Sequence, residues 1–157
     1  TLALVVNRYP KAILLFVGDG DQRVALERHV ERNGLADHVI FAGKKQGEDL
    51  YACYNVGQIF VLPSYYERFG AVVNEALLAG CYTLCSVVAG AACLIEPQKN
   101  GDLFDPASKT DLAEKLAQGL ECCKDLRHIS LKANKMCYSY DQYITSFFNQ
   151  LNSIIDK

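Results

Sequence analysis

Short apolar runs alternate with helix-like stretches along this chain, and no other feature constrains its fold as much. Residues 12–17 (Ala-Ile-Leu-Leu-Phe-Val) stop at Gly18-Asp19-Gly20, residues 38–42 stop at Gly43, and residues 58–62 stop at Pro63. Residues 82–88 form another such run, and a small strand fits at Leu103-Phe104 within the looser segment 89–107. Between the runs, residues 21–33 carry charges around Val24, Leu26 and Val30 and read as an amphipathic helix ending at Gly34. Residues 47–54 read as a short helix, and residues 69–79 as an almost wholly apolar one stopped by Gly80. Ser108, with Asp111 three residues on, caps a helix over 108–124. Helical stretches at 126–139 and 141–155 follow, and residues 1–7 resemble the tail of a helix. Strands separated by helices require right-handed crossovers, hence a mainly parallel sheet. The predicted fold is therefore α/β, a Rossmann-like parallel sheet with helices on both faces. Ligands of such sheets bind beyond the carboxyl ends of the strands. The turn-rich segments 18–20, 43–45 and 63–70 are expected to converge there.

Composition narrows the class. The chain has 157 residues, a formal net charge of -2 and 22% charged residues, which suits one domain with a real core. No Lys/Arg cluster is long enough to track a phosphate backbone, so nucleic acid is not an expected partner. The apolar runs are too short to span a bilayer, and no signal peptide opens the chain. The seven cysteines lack any C-x-x-C spacing, and His29, His38 and His128 stand in no metal-ligand pattern. They read as reduced thiols of a cytosolic protein, several acting as small hydrophobes. No metal site is expected. Cys81 and Cys85, four residues apart on a strand, are too distant for a disulfide.

The chemistry concentrates in residues 63–80. Glu67 and Glu75 bracket seven residues: Glu67 lies in a turn after a strand, Glu75 inside the apolar helix. A helix apolar all round is normally buried, and a carboxylate there needs hydrogen-bond partners. The helical neighbours of Glu75 are Ala71, Val72, Leu78 and Ala79, none of which can pair with it. Its partner is expected elsewhere in the fold or in a ligand.

The ordered series Gly18-Asp19-Gly20, Val39-Ile40-Phe41-Ala42-Gly43, Pro63-Ser64-x-x-Glu67-x-Phe69-Gly70, Asn74-Glu75-Ala76-x-x-Ala79-Gly80 and Asn100-Gly101-Asp102-Leu103-Phe104-Asp105-Pro106 resembles the C-terminal half of glycosyltransferase family 4. The resemblance covers nearly the whole chain. It implies a GT-B enzyme, with two Rossmann-like domains facing a cleft and the nucleotide sugar held mainly by the C-terminal one. It implies a retaining hexose transfer from a nucleoside-diphosphate sugar to a saccharide or glycolipid acceptor, without metal or other cofactor. By resemblance, Glu67 contacts donor-sugar hydroxyls and is the catalytic candidate, and Glu75 takes the ribose diol. The backbone N–H groups of Phe69, Gly70, Ala71 and Val72 suit diphosphate or hexose oxygens. Gly18 and the loop carrying Lys44 and Lys45 are donor-binding candidates, the latter against the base through backbone atoms.

The resemblance further implies that residues 1–157 are one nucleotide-sugar-binding domain truncated at its N-terminus. The Arg and Lys that steady the leaving diphosphate would precede Thr1, and the acceptor would be bound by an absent N-terminal domain. Residues 141–157 would supply the family's closing helix. The fragment alone is expected to bind donor weakly and transfer nothing. The full protein is expected in the cytoplasm, at the inner membrane face for polysaccharide or glycolipid synthesis. This chain departs from the family at Cys81-Tyr82, where Pro-Val is usual, and at Ala89 to Glu96, where paired glycines and an acidic residue are usual.

Other readings stand beside these. Glu67 fits a solvated turn, Glu75 fits a structural ion pair, Lys44-Lys45 a solvated pair, and Gly18-Asp19-Gly20 a tight turn alone. Tyr65 and Tyr66 read as local packing. The competing functions are half of a GT-B sugar-nucleotide epimerase and a nonenzymatic flavodoxin-like module with Asp19 as phosphoacceptor.

Overall fold

A computed structural model describes residues 1–123 together with Lys135, Met136, Gln142 and Thr145. The chain runs α1 (Leu2–Arg8), β1 (Leu14–Val17), α2 (Arg23–Arg32), β2 (Val39–Gly43), α3 (Gly47–Val56), β3 (Ile59–Leu62), α4 (Ala71–Leu78), β4 (Tyr82–Ser86), β5 (Gly101–Phe104) and α5 (Lys109–Cys122). Single helical turns at Ala36–His38 and Gly90–Leu94 fill two connections. All strand pairs are parallel. The strands form two sets, β1-β2 and β3-β4-β5, and among the described residues no ladder joins β1 to β3. The α/β expectation holds, with the sheet in two parts.

The core belongs to the second set. Every residue of β4 is buried. Val73 and Leu77 of α4 pack with Cys85, Ala89 and Ala91 on one face of β4, while Tyr82, Leu84 and Phe104 meet Leu112 and Leu116 of α5 on the other. The first set is thinner: α2 has no buried residue, and Ile13, Val24 and Ile40 are exposed. Stacked Phe16 and Phe41, their ring centroids 5.1 Å apart, hold β1 to β2.

The boundaries shift for local reasons. The run 82–88 ends as a strand at Ser86, and Val87 and Val88 are exposed in the turn that follows. The small strand begins earlier, at Gly101, where a Cβ would lie 1.9 Å from the Thr83 carbonyl oxygen. Ser108 does cap α5, its hydroxyl accepting from the Asp111 N–H at 3.1 Å. Within the expected helix 126–139, Lys135 and Met136 are not helical; the rest of that helix lies outside the described residues. Of the closing helix 141–155, only Gln142 and Thr145 are described, both helical. The six described cysteines are free thiols.

Candidate functional site

Parallel strands deliver their following loops to one edge, and the structure ties those loops in two pairs. The Gly18 N–H donates to the Gly43 carbonyl at 2.9 Å, joining segments 18–20 and 43–45. The Gly90 N–H donates to the Glu67 carbonyl at 3.1 Å, and the Ala91 N–H to the Phe69 carbonyl, joining segment 63–70 to the loop after β4. Glu67 and Ala89 form an isolated parallel bridge. Among the described residues no hydrogen bond joins one pair to the other.

Two glycines permit this geometry. Gly70 takes φ +92 at the start of α4, buried against Leu62 and Ala91. A side chain there is strained by the backbone and blocked by its neighbours. Gly90 lies so close to segment 67–69 that a Cβ would stand 2.1 Å from the Arg68 carbonyl oxygen.

The helix expected to be buried all round is two-faced. Val73, Ala76 and Leu77 are buried, while Ala71, Val72 and Leu78 are exposed and Glu75 is half-buried among them. Composition alone predicted burial; the structure gives the carboxylate a surface. Its partner is Tyr54, whose hydroxyl donates to Glu75 Oε2 at 2.8 Å. Tyr54, on the last turn of α3, is a neutral donor, so Glu75 forms no structural ion pair among the described residues. Burial, and then the Glu75 carboxylate, hold the Tyr54 hydroxyl well above the usual tyrosine range, so it keeps its proton.

Glu67 folds back on its own turn, Oε1 accepting from the Phe69 N–H at 3.2 Å. The Phe69 N–H is therefore occupied, a correction to the expectation that it is free. The N–H groups of Gly70, Ala71 and Val72 have no partner among the described residues, and they point out of the first turn of α4. They lie on the same helix as Glu75, and Ala71 and Val72 stand one turn before it. Phe69 is 55% exposed, beside exposed Tyr65 and Tyr66, which do not bury themselves as local packing would require. Arg68 leans on Tyr66, its Nε donating to the hydroxyl at 3.1 Å.

On the first loop pair, Gly18 takes φ +136, an added Cβ there would meet nothing within 4 Å, and Asp19 accepts from the Gly20 N–H at 2.9 Å. Asp19 also faces Arg23 at 3.9 Å and stands in no acidic cluster among the described residues, which leaves the phosphoacceptor reading without support. Lys44 is exposed and Lys45 half-buried, with no ion pair for either among the described residues. The structure thus brings Glu67, Phe69, Gly70, Ala71, Val72 and Glu75 together on one loop and helix. It sets Gly18, Lys44 and Lys45 in the loops that follow β1 and β2.

Sequence reasoning missed Tyr54, Gly90 and a buried polar group behind the site. In that group the Tyr82 hydroxyl donates to Asp102, which is 3% exposed, and Lys115 lies 3.6 Å from the same carboxylate. For Tyr54 a signal existed: a tyrosine in a helix that packs inward needs a partner for its hydroxyl.

A parallel α/β domain whose glycine-started helix and loops gather at the carboxyl edge of its strands has the Rossmann-like type of fold. The chain belongs to the family of group 1 glycosyl transferases, whose pattern matches residues 2–136. It is 31% identical over 143 residues to the sulfoquinovosyl transferase SQD2 of Arabidopsis thaliana, covering 89% of this chain and 27% of that protein. Its fold matches the sucrose-phosphate synthase of Thermosynechococcus elongatus with TM-score 0.70 and 26% identity, over 98% of this chain and 42% of that one. It also matches the C-terminal domain of the group 1 glycosyl transferase LpcC of Francisella tularensis, with TM-score 0.70 and 26% identity, over 92% and 74%. The architecture is that of GT-B glycosyltransferase structures. The chain spans about a quarter of the length of the curated relatives it matches first. Among the described residues no helix is long and apolar enough to cross a membrane.

Proposed function

We infer that this domain holds the nucleoside-diphosphate sugar of a retaining, metal-independent family 4 hexosyltransferase. The observation that carries the reading is the placement of Glu75: a half-buried carboxylate on the helix that presents the N–H groups of Gly70, Ala71 and Val72. A carboxylate accepts hydrogen bonds from both hydroxyls of a ribose diol. Backbone N–H groups at a helix start suit the diphosphate or hexose oxygens, where charge grows as the sugar departs. Glu67 has one carboxylate oxygen engaged with the Phe69 N–H and a second oxygen to offer a donor-sugar hydroxyl. Gly18 lets the donor approach the backbone, and the Lys44-Lys45 loop lies against the base. The acceptor, a saccharide or glycolipid, is bound by a further domain, and the protein works at the cytoplasmic membrane face. Neither an epimerase half nor a regulatory module gains support from any residue described above.

Ligand-observed NMR and thermal melting with UDP, GDP and ADP test this. One of the three raises the melting temperature, and Glu75→Gln removes most of that rise. A charged hydrogen bond of about 1.5–3 kcal/mol is at stake, roughly a tenfold or greater loss of affinity. Equal response from parent and variant would refute the assignment.

A further inference from the structure

The geometry points to Tyr54 as a positioning residue that fixes the Glu75 carboxylate for a ribose diol, and so sets discrimination between ribo- and deoxyribonucleotides. The inference rests on the reading of Glu75 given above. Tyr54 is 8% exposed, its ring tilted against Phe60 at 5.8 Å between centroids and packed with Ala76 and Cys81. The ring cannot swing away without opening that cluster. Its hydroxyl donates to Glu75 Oε2 at 2.8 Å and comes from a different helix, so it restrains the half-buried Glu75 side chain from outside α4. A glutamate loses much rotamer freedom when a ligand captures it. A bond made in advance removes part of that cost from the binding step.

The geometry also fixes orientation. An ionised carboxylate has about four lone-pair sites. The Tyr54 hydroxyl takes one on Oε2, and among the described residues the other site there and both on Oε1 are left. Two vicinal hydroxyls meet both oxygens at once only when the carboxylate plane is held in one orientation. A ligand lacking one hydroxyl gains little from that restraint. Tyr54 therefore acts on the ratio between two ligands, not on binding in general.

The test is a ligand-observed NMR titration of the protein and of Tyr54→Phe. The probes are whichever of UDP, GDP and ADP binds the parent best and its 2′-deoxy counterpart. Phenylalanine keeps the ring and deletes one oxygen. Both ligands see the same folded population, so their affinity ratio does not depend on how much of the variant is folded. The parent is expected to favour the ribonucleotide by about tenfold or more, the worth of a hydrogen bond to a charged group. Tyr54→Phe is expected to shrink that preference several-fold while leaving the deoxy affinity within about twofold. Adding Tyr54→Phe to Glu75→Gln should change the ratio no further, as coupled groups require. An unchanged ratio in Tyr54→Phe would reduce Tyr54 to a core residue and overturn the inference while leaving the Glu75 assignment intact. A parent with no ribo/deoxy preference would overturn both.

Discussion

Gly90→Ala is the substitution whose cost the structure states most directly. Its Cβ would stand 2.1 Å from the Arg68 carbonyl oxygen, 3.0 Å from the Arg68 carbonyl carbon and 3.1 Å from Phe69 Cα. Each of these is backbone, so no side chain can rotate to make room. An ordinary carbon–oxygen contact requires the segments to part by about 1 Å. That displacement stretches the Gly90–Glu67 hydrogen bond, now 3.1 Å, and the Ala91–Phe69 bond beside it. Each is worth about 0.5–1.5 kcal/mol net, and lost packing around Gly70 and Ala91 adds to this. We expect Gly90→Ala to destabilise the chain by about 2–3 kcal/mol, lowering the melting temperature by roughly 4–12 °C. Gly20→Ala is the control: nothing lies within 4 Å of its added Cβ. It should stay within about 0.5 kcal/mol of the parent. Urea denaturation followed by circular dichroism reads both. A Gly90→Ala midpoint equal to the control's would refute the close approach of the two loops, and with it the clamp that sets Glu67 beside the start of α4.

Two other outcomes are expected. Burial pushes the Cys85 thiol from 9.0 up to about 11. The folded state keeps that proton while the unfolded chain loses it, so stability is fully present below pH 9 and declines toward pH 11, by up to about 2–3 kcal/mol from this group. Cys85→Ala should flatten that decline in denaturant titrations across pH 8–11; an equal slope in parent and variant refutes it. Ser108→Ala removes the hydroxyl that accepts from the Asp111 N–H, and a loss of about 1 kcal/mol is expected by urea denaturation. A change below about 0.3 kcal/mol would show that water caps α5 equally well.

Much of this fold was legible because local chemistry and tertiary packing agree. Ser108 caps α5 as its spacing with Asp111 predicts, and the run from Ile59 to Leu62 stops where Pro63 removes a donor. The site's backbone frame was legible for the same reason, since a strand, a glycine turn and a helix in succession leave little freedom. What was hidden depends on contacts far along the chain. Tyr54 and Glu75 lie 21 residues apart, and no periodicity links them. The two-faced character of α4 was invisible because Val72 and Leu78 are as apolar as the residues it buries. Val87 and Val88 favour strand by propensity, yet the chain must turn there for Ala89 to reach Glu67.

The pairing of the loops has an energetic corollary. Each loop pair is laced by its own backbone, and neither is laced to the other by a hydrogen bond among the described residues. A molecule long enough to touch the Gly18–Gly43 side with one end and the Gly70–Glu75 side with the other would act as a keystone. It would join by its own contacts two loop pairs that share no hydrogen bond among the described residues. Affinity would then grow with the ligand's reach, because the second set of contacts forms without a second loss of translational freedom.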